Sequence, residues 1–140
     1  MEIDVNIKLL EDGIIPVYKT EGSAGADCFS RVDAVIKPHE TKVIPLGFEV
    51  EIPVGYEMQM RPRSGLGLKG KVAVFGTIDS DYRGEVGAII HNNTQEDFIV
   101  SKGDRVSQAV VAPVTIAKFN PVLLLSETQR GSGGFGSTGK

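Results

Sequence analysis

The 140-residue chain has a single cysteine, Cys28, so it cannot close an internal disulfide. No CxxC or CxxH spacing surrounds that residue, so a metal site of recognisable zinc type is excluded and a small buried filler is the simple reading. Nowhere does an apolar run approach the roughly 20 residues a membrane-spanning helix needs. The segment from Met1 to Glu11 alternates apolar and charged residues and lacks the basic start and apolar block of an export signal, which leads us to expect a cytoplasmic or intracellular viral setting. An excess of basic charge is missing too. The net charge is −3, which argues against a general nucleic-acid binder, since such proteins displace counterions with a basic stripe. Binding of a polyanion here requires focused arginines and a divalent cation. Helical periodicity is also nearly absent.

What is present is the spacing of strands. Apolar residues recur at every second position in Val5, Ile7, Leu9 and in Tyr56, Met58, Met60, the period of a half-buried strand. Glycine and proline punctuate the chain at short intervals, from Gly13 and Pro16 to Gly55 and Pro62, which predicts many short strands in an all-β sandwich or barrel. One helical turn fits after Arg63. Val106 to Val114 and Val122 to Leu125 are continuously apolar and read as strands buried on both faces or packed against another subunit. With 41% hydrophobic residues the chain can fill one core, and surplus apolar surface suits an oligomer. From Arg130 onward the composition turns to glycine and serine, with nothing able to build a core. No internal repeat of fixed period appears.

Five segments carry residue types suited to chemistry. Gly76-Thr77-Ile78-Asp79-Ser80-Asp81-Tyr82-Arg83-Gly84-Glu85-Val86, flanked by strand-like residues, reads as a hairpin. Its acidic residues can be solvated turn residues; alternatively Asp79 holds and deprotonates a water while Tyr82 gives a flat wall for a sugar or base. A two-metal site on Asp79 and Asp81 has no further acidic or histidine cluster to complete it. Arg61-Pro62-Arg63-Ser64-Gly65-Leu66-Gly67 offers guanidinium forks, a hydroxyl and glycine backbone, as phosphate oxygens require, although such pairs also punctuate plain surface turns. The glycine-rich end lacks Walker spacing and is either a disordered terminus or, with Arg130, Phe135, Ser137 and Thr138, a set of nucleotide-binding groups. Ser23 to Asp27 and Gly103 to Gln108 are individually unspecific, and Asp104 beside Arg105 reads as a structural pair. His39 and His91 have no ligand spacing and receive no catalytic role.

Taken in order, the five segments resemble the five signature motifs of the trimeric dUTPase family, and the match spans nearly the whole chain. The first is similar to Ala-Gly-x-Asp at Ala24 to Asp27, and the second to Pro-Arg-Ser-Gly at Pro62 to Gly65. The third resembles Gly-x-Ile-Asp-x-Asp-Tyr-Arg-Gly at Gly76 to Gly84, and the fourth Gly-Asp-Arg-x-x-Gln at Gly103 to Gln108. The fifth resembles Arg-Gly-x-Gly-Gly-Phe-Gly-Ser-Thr-Gly at Arg130 to Gly139. The resemblance implies a distorted, jelly-roll-like β-barrel of the β-clip type over residues 1–129, and a flexible glycine-rich arm over 130–140 that closes on the site. It further implies a homotrimer with active sites shared between subunits, and hydrolysis of dUTP to dUMP and pyrophosphate. That reaction limits uracil in DNA and supplies dUMP for thymidylate synthesis.

Carried over residue by residue, the resemblance makes Asp79 the base that activates water against the α-phosphorus. Tyr82 packs on the deoxyribose, and the hairpin backbone, with Gly76 and Ile78 among the contacts, reads uracil. Arg63, Ser64, Gly65 and Gln108 grip the phosphate chain; Arg130, Gly136, Ser137 and Thr138 close on it, and Phe135 stacks on the base. Mg2+ is held chiefly by the phosphates, with Asp27 acting through water. The chain departs from many family members at Ala73, where asparagine is common, so uracil recognition falls to backbone groups. The same-fold rival, dCTP deaminase, places a glutamate in the third motif region and a longer serine- and arginine-rich second signature, neither of which is here. A non-catalytic nucleotide-sensing or regulatory module of the same fold is the alternative of another class. Neither nucleic acid nor membrane is expected as a partner.

Overall fold

The computed structural model describes residues 1–70 and 73–139, with backbone alone for 73–75. The strands are β1 (Asn6–Leu9), β2 (Ala26–Phe29), β3 (Ala34–Ile36), β4 (Thr41–Pro45), β5 (Phe48–Glu51), β6 (Tyr56–Arg61), β7 (Ala73–Ile78), β8 (Gly87–His91), β9 (Phe98–Val100) and β10 (Arg105–Pro113); the helix α1 spans Ser64–Leu68. Six of them form one sheet in the order β2-β10-β6-β7-β8-β4, and two-stranded sheets β1-β5 and β3-β9 flank it. All the strand pairs are antiparallel. The chain is therefore all-β, as the punctuation and period predict, and jelly-roll-like in arrangement.

Period-two alternation explains which residues meet. On β6, Met58 and Met60 turn into the core while Glu57, Gln59 and Arg61 face away. From the flanking sheets, Ile36, Phe48, Val50 and Val100 join the same core as Ile44, Ala88, Ile90 and Val106 of the large sheet. Cys28 is fully buried there, as expected for a filler. β10 is the longest strand and lies between β2 and β6; a register shift between Arg105 and Ser107 lets consecutive residues Val106 and Ser107 both be buried. The turn after β8 is closed by buried Asn92, whose Nδ2 donates to the Ile36 and Glu96 carbonyls at 2.9 and 2.6 Å. Nothing in the sequence marked that residue, because its partners lie on a distant strand and in its own turn.

The helical turn expected after Arg63 is α1. The strand expected at Val122 to Leu125 is not formed: these residues are irregular, and Leu123 to Leu125 are almost wholly exposed. Val114 N–H donates to the Gly55 carbonyl at 2.8 Å, and beyond it no hydrogen bond joins residues 115–139 to the rest of the described chain. Among the described residues, no helix is long and apolar enough to cross a membrane.

Candidate active site

Three of the five segments converge where β2, β10 and β6 run side by side. Gln108 is paired in register with Asp27 on one neighbour and with Arg61 on the other. Residues directly opposite in adjacent strands project from the same face, so β10 carries Gln108 to the carboxylate of β2 and to the turn that ends β6. Gln108 Nε2 donates to the Pro62 carbonyl at 2.9 Å, which ties the arginine turn to the strand. Gly25 belongs to the same knot: a Cβ there would lie 2.4 Å from Gln108 Oε1, so any side chain would evict the glutamine.

Asp27 is the single carboxylate within this cluster of donors, and its side chain is largely buried. Arg105 Nη1 donates to Asp27 Oδ2 at 3.2 Å, and Arg63 Nε stands 3.9 Å from Asp27 Oδ1. Arg63 also donates through Nη1 to the Arg105 carbonyl at 3.4 Å. Two guanidinium groups around one carboxylate leave positive charge in excess and N–H donors to spare, a setting for anionic oxygens. Ser64 and Gly65 follow at the exposed start of α1. The sequence pairing of Asp104 with Arg105 is corrected: Asp104 Oδ2 accepts from the Ser101 N–H at 2.8 Å, and Arg105 reaches Asp27 instead. Asp104 lies outside β10, which begins at Arg105, and no local signal in the sequence added Arg105 to the site.

A second cluster lies on the connection from β7 to β8. Ile78 is buried opposite Met58, and Gly76 stands opposite Met60. Asp79, immediately past the strand, is exposed; its carbonyl accepts from the Tyr82 N–H at 3.1 Å, which turns the chain. Tyr82 Oη donates to the Glu85 carbonyl at 2.9 Å, leaving the ring half exposed beside Asp79. β7 and β8 are paired only from Ala73 to Phe75, opposite His91 to Ile89. Past Phe75 the two strands part, so among the described residues the edge of Gly76 to Ile78 that faces β8 has no strand partner. That edge is a row of backbone donors and acceptors. The side chain of Ala73, the position where asparagine is common in the family, lies outside the described residues.

The third cluster is the glycine-rich end. Arg130 Nε donates to the Gly133 carbonyl at 2.7 Å, Ser137 N–H donates to the Gly134 carbonyl at 3.0 Å, and Phe135 is entirely exposed with φ at 53°. Gly136 and Thr138 sit in the same turns.

These three clusters do not meet within one chain. Ile78 stands opposite Met58, which sets Asp79 level with Glu57, whereas the arginine turn begins at Arg61. From Glu57 to Arg61, at about 3.3 Å per strand residue, is roughly 13 Å, and Arg63 lies beyond. Among the described residues, no three of histidine, cysteine, aspartate or glutamate group together to hold a metal ion.

An all-β chain with an arginine-rich strand junction, a carboxylate beside an aromatic ring and an unpaired strand edge has the parts of a nucleotide-handling protein. A dUTPase family profile matches residues 11–139, and the chain belongs to that family. It is 50% identical over 136 residues to the deoxyuridine 5'-triphosphate nucleotidohydrolase of Nautilia profundicola, covering 95% of this chain and 96% of that one. To the enzyme of the same name from Treponema denticola it is 47% identical, over 98% and 99% of the two chains. Among solved structures, the dUTPase of Staphylococcus bacteriophage 80alpha with dUPNHPP superposes with a TM-score of 0.91 at 28% identity, covering 98% of this chain and 99% of that one. A point mutant of the dUTPase from phage phi11 of S. aureus, which coordinates a structural Mg(II) ion, superposes with a TM-score of 0.81 at 26% identity over 87% of this chain and 98% of that one.

Proposed function

We propose that the chain hydrolyses dUTP to dUMP and pyrophosphate at sites built from more than one copy of itself, three copies forming a closed homotrimer. The observation that carries this reading is the register of β6 with β7, which holds the carboxylate at 79 and the arginine turn at 63 apart in a single chain. Hydrolysis of a triphosphate needs both at one nucleotide, so the hairpin of one subunit must face the β2-β10-β6 junction of another. The arm of a third subunit, with residues 1–129 as the body and 130–140 as the closing segment, covers the nucleotide.

Uracil pairs with the unpartnered backbone edge of Gly76 to Ile78, which replaces the missing asparagine side chain at position 73. Cytosine would present a donor where uracil presents an acceptor and leave a backbone N–H unsatisfied, a cost of about 1–3 kcal/mol. Tyr82 lies against the deoxyribose and leaves no space for a 2′-hydroxyl. Arg63, with Ser64, Gly65 and Gln108, grips the phosphates, and Arg130, Ser137 and Thr138 bring further donors while Phe135 stacks on the base and Gly136 allows close approach. Asp79 accepts a proton from a water as its oxygen bonds to the α-phosphorus; the bond from that phosphorus to the β-phosphate oxygen breaks, and pyrophosphate departs.

The donor set suits Mg2+ held mainly by the nucleotide, since such an ion takes one or two carboxylates plus substrate phosphates and retains its waters. Asp27 is the carboxylate placed to orient such a water. When bound, the ion neutralises charge on the triphosphate. The test is pyrophosphate release by the full chain with dUTP, dCTP, dTTP and UTP in parallel. Release from dUTP alone is expected; equal release from all four, or none from dUTP, would overturn the proposal.

A further inference from the structure

Arg31 lies outside all five motifs, yet it reaches Glu85, the residue that follows the third. It follows Ser30, which is buried and fixed on both sides: Ser30 N–H donates to the Asp104 carbonyl at 2.9 Å, and its own carbonyl accepts from Gly103 N–H at 2.8 Å. Arg31 N–H donates to the Pro45 carbonyl at 3.1 Å. From this fixed base the guanidinium forks onto Glu85, with Nε to Oε2 at 2.6 Å and Nη2 to Oε1 at 2.8 Å. Gly47 N–H adds a third donor to Oε2 at 3.0 Å. Bidentate, charge-assisted contacts of this kind fix orientation as well as position.

The carboxylate held this way belongs to the residue whose carbonyl accepts the Tyr82 hydroxyl at 2.9 Å. The ring reaches that carbonyl across Gly84, where a Cβ would lie 2.4 Å from Tyr82 Oη. The Glu85 carbonyl lies in one planar peptide unit with Val86 N–H, so displacement of the Glu85 end of that unit tilts the acceptor that sets the ring. A plain brace for the loop is already supplied by the next residue: Val86 is buried, its N–H donates to the Phe48 carbonyl at 2.9 Å, and its carbonyl accepts from Leu46 N–H at 3.1 Å. The Arg31 fork, with Gly47 N–H, holds the other end of that peptide unit, at Glu85, and through it the acceptor of the Tyr82 hydroxyl.

We propose that Arg31 is a positioning residue for sugar selection: by orienting Glu85 it holds the Tyr82 ring where it excludes a ribonucleotide. The inference rests on the dUTP reading above. The test measures kcat and KM of the full chain with dUTP and UTP for the parent, Arg31→Ala, Glu85→Gln, Arg31→Lys, Tyr82→Phe and the Arg31→Ala/Tyr82→Phe double variant. Lys102→Ala serves as a control that breaks another ion pair, Lys102 to Asp12 at 2.7 Å.

Arg31→Ala and Glu85→Gln are each expected to lower the preference for dUTP over UTP in kcat/KM by about tenfold, chiefly by lowering KM for UTP, because the sugar wall is displaced but Asp79 is not. Arg31→Lys should restore part of it, and Lys102→Ala should match the parent. Tyr82→Phe removes the same link from its other end, so the double variant should lose no more than the worse single one. A folded Arg31→Ala chain with preference within about twofold of the parent, or losses that multiply in the double variant, would overturn the inference. If Arg31→Ala does not fold, Arg31→Lys and Tyr82→Phe are read by the same criteria. A parent that does not turn over dUTP instead removes the dUTP reading itself.

Discussion

Met58 and Ile78 stand opposite each other across β6 and β7, and that pairing sends Asp79 and Arg63 toward opposite ends of the sheet. The proposed site needs both and therefore draws on another copy, which mixing tests directly. Asp79→Asn and Arg63→Ala chains are each expected to lose at least about a hundredfold in turnover, since one lacks the proposed base and the other a proposed phosphate clamp. Refolded together, they should regain a measurable fraction of parent activity, because some sites then combine an intact Asp79 with an intact Arg63. Activity of the mixture no higher than that of its components would show that each chain works alone.

Among the described residues, 115–139 make no hydrogen bond to the body, so removing the glycine-rich end should leave the fold intact. A chain ending at Thr128 is expected to keep the parent's circular dichroism spectrum and subunit count. Its turnover should fall by about two orders of magnitude, as phosphate donors and the cover against water are lost. Full turnover in the shortened chain would remove Arg130 and Phe135 from the site.

The Glu85 carboxyl is held below its ordinary value of 4.5, first by the hydrogen bonds from Arg31. A depressed carboxyl contributes stability above its unfolded value, and that contribution disappears as pH falls through the folded one. Thermal unfolding of the parent and of Glu85→Gln should therefore differ most at pH 6 to 7, and the gap should narrow steadily below about pH 4. A gap independent of pH would mean that the variant acts through packing alone.

Burial pushes the Cys28 thiol up to about 12 from an ordinary 9.0. Thiolate is the reactive form, so a thiol reagent at pH 8 should leave the native chain unmodified and label it stoichiometrically in denaturant. The sign for stability follows: protection is complete below the unfolded value and is lost as pH rises toward the folded one. Rapid labelling of the native chain would place Cys28 nearer the surface.

The sequence was most legible where structure depends on near neighbours. Alternation at Tyr56, Met58 and Met60 is a property of six consecutive residues, and it forms β6. The hairpin around Asp79 and the helical turn after Arg63 were readable for the same reason, from glycine, proline and polar residues at short spacing. Partners chosen across the chain were not. Arg105 meets Asp27, 78 residues away, and nothing local distinguishes that from a contact with adjacent Asp104. Arg31 and Glu85, 54 residues apart, were silent likewise. Val122 to Leu125 failed differently: their apolar run encodes burial, but burial against their own chain is not what the fold provides.

Ile116, Phe119 and Leu123 to Leu125 remain bare after every strand has found its partner. A polypeptide finished in this way has not yet settled its debt to water, and in the proposed trimer an encounter between copies does so. The closing stage of self-assembly is then of higher kinetic order than the collapse before it. In a dilute cell, how soon a newly made molecule becomes useful depends on how many of its siblings are already there.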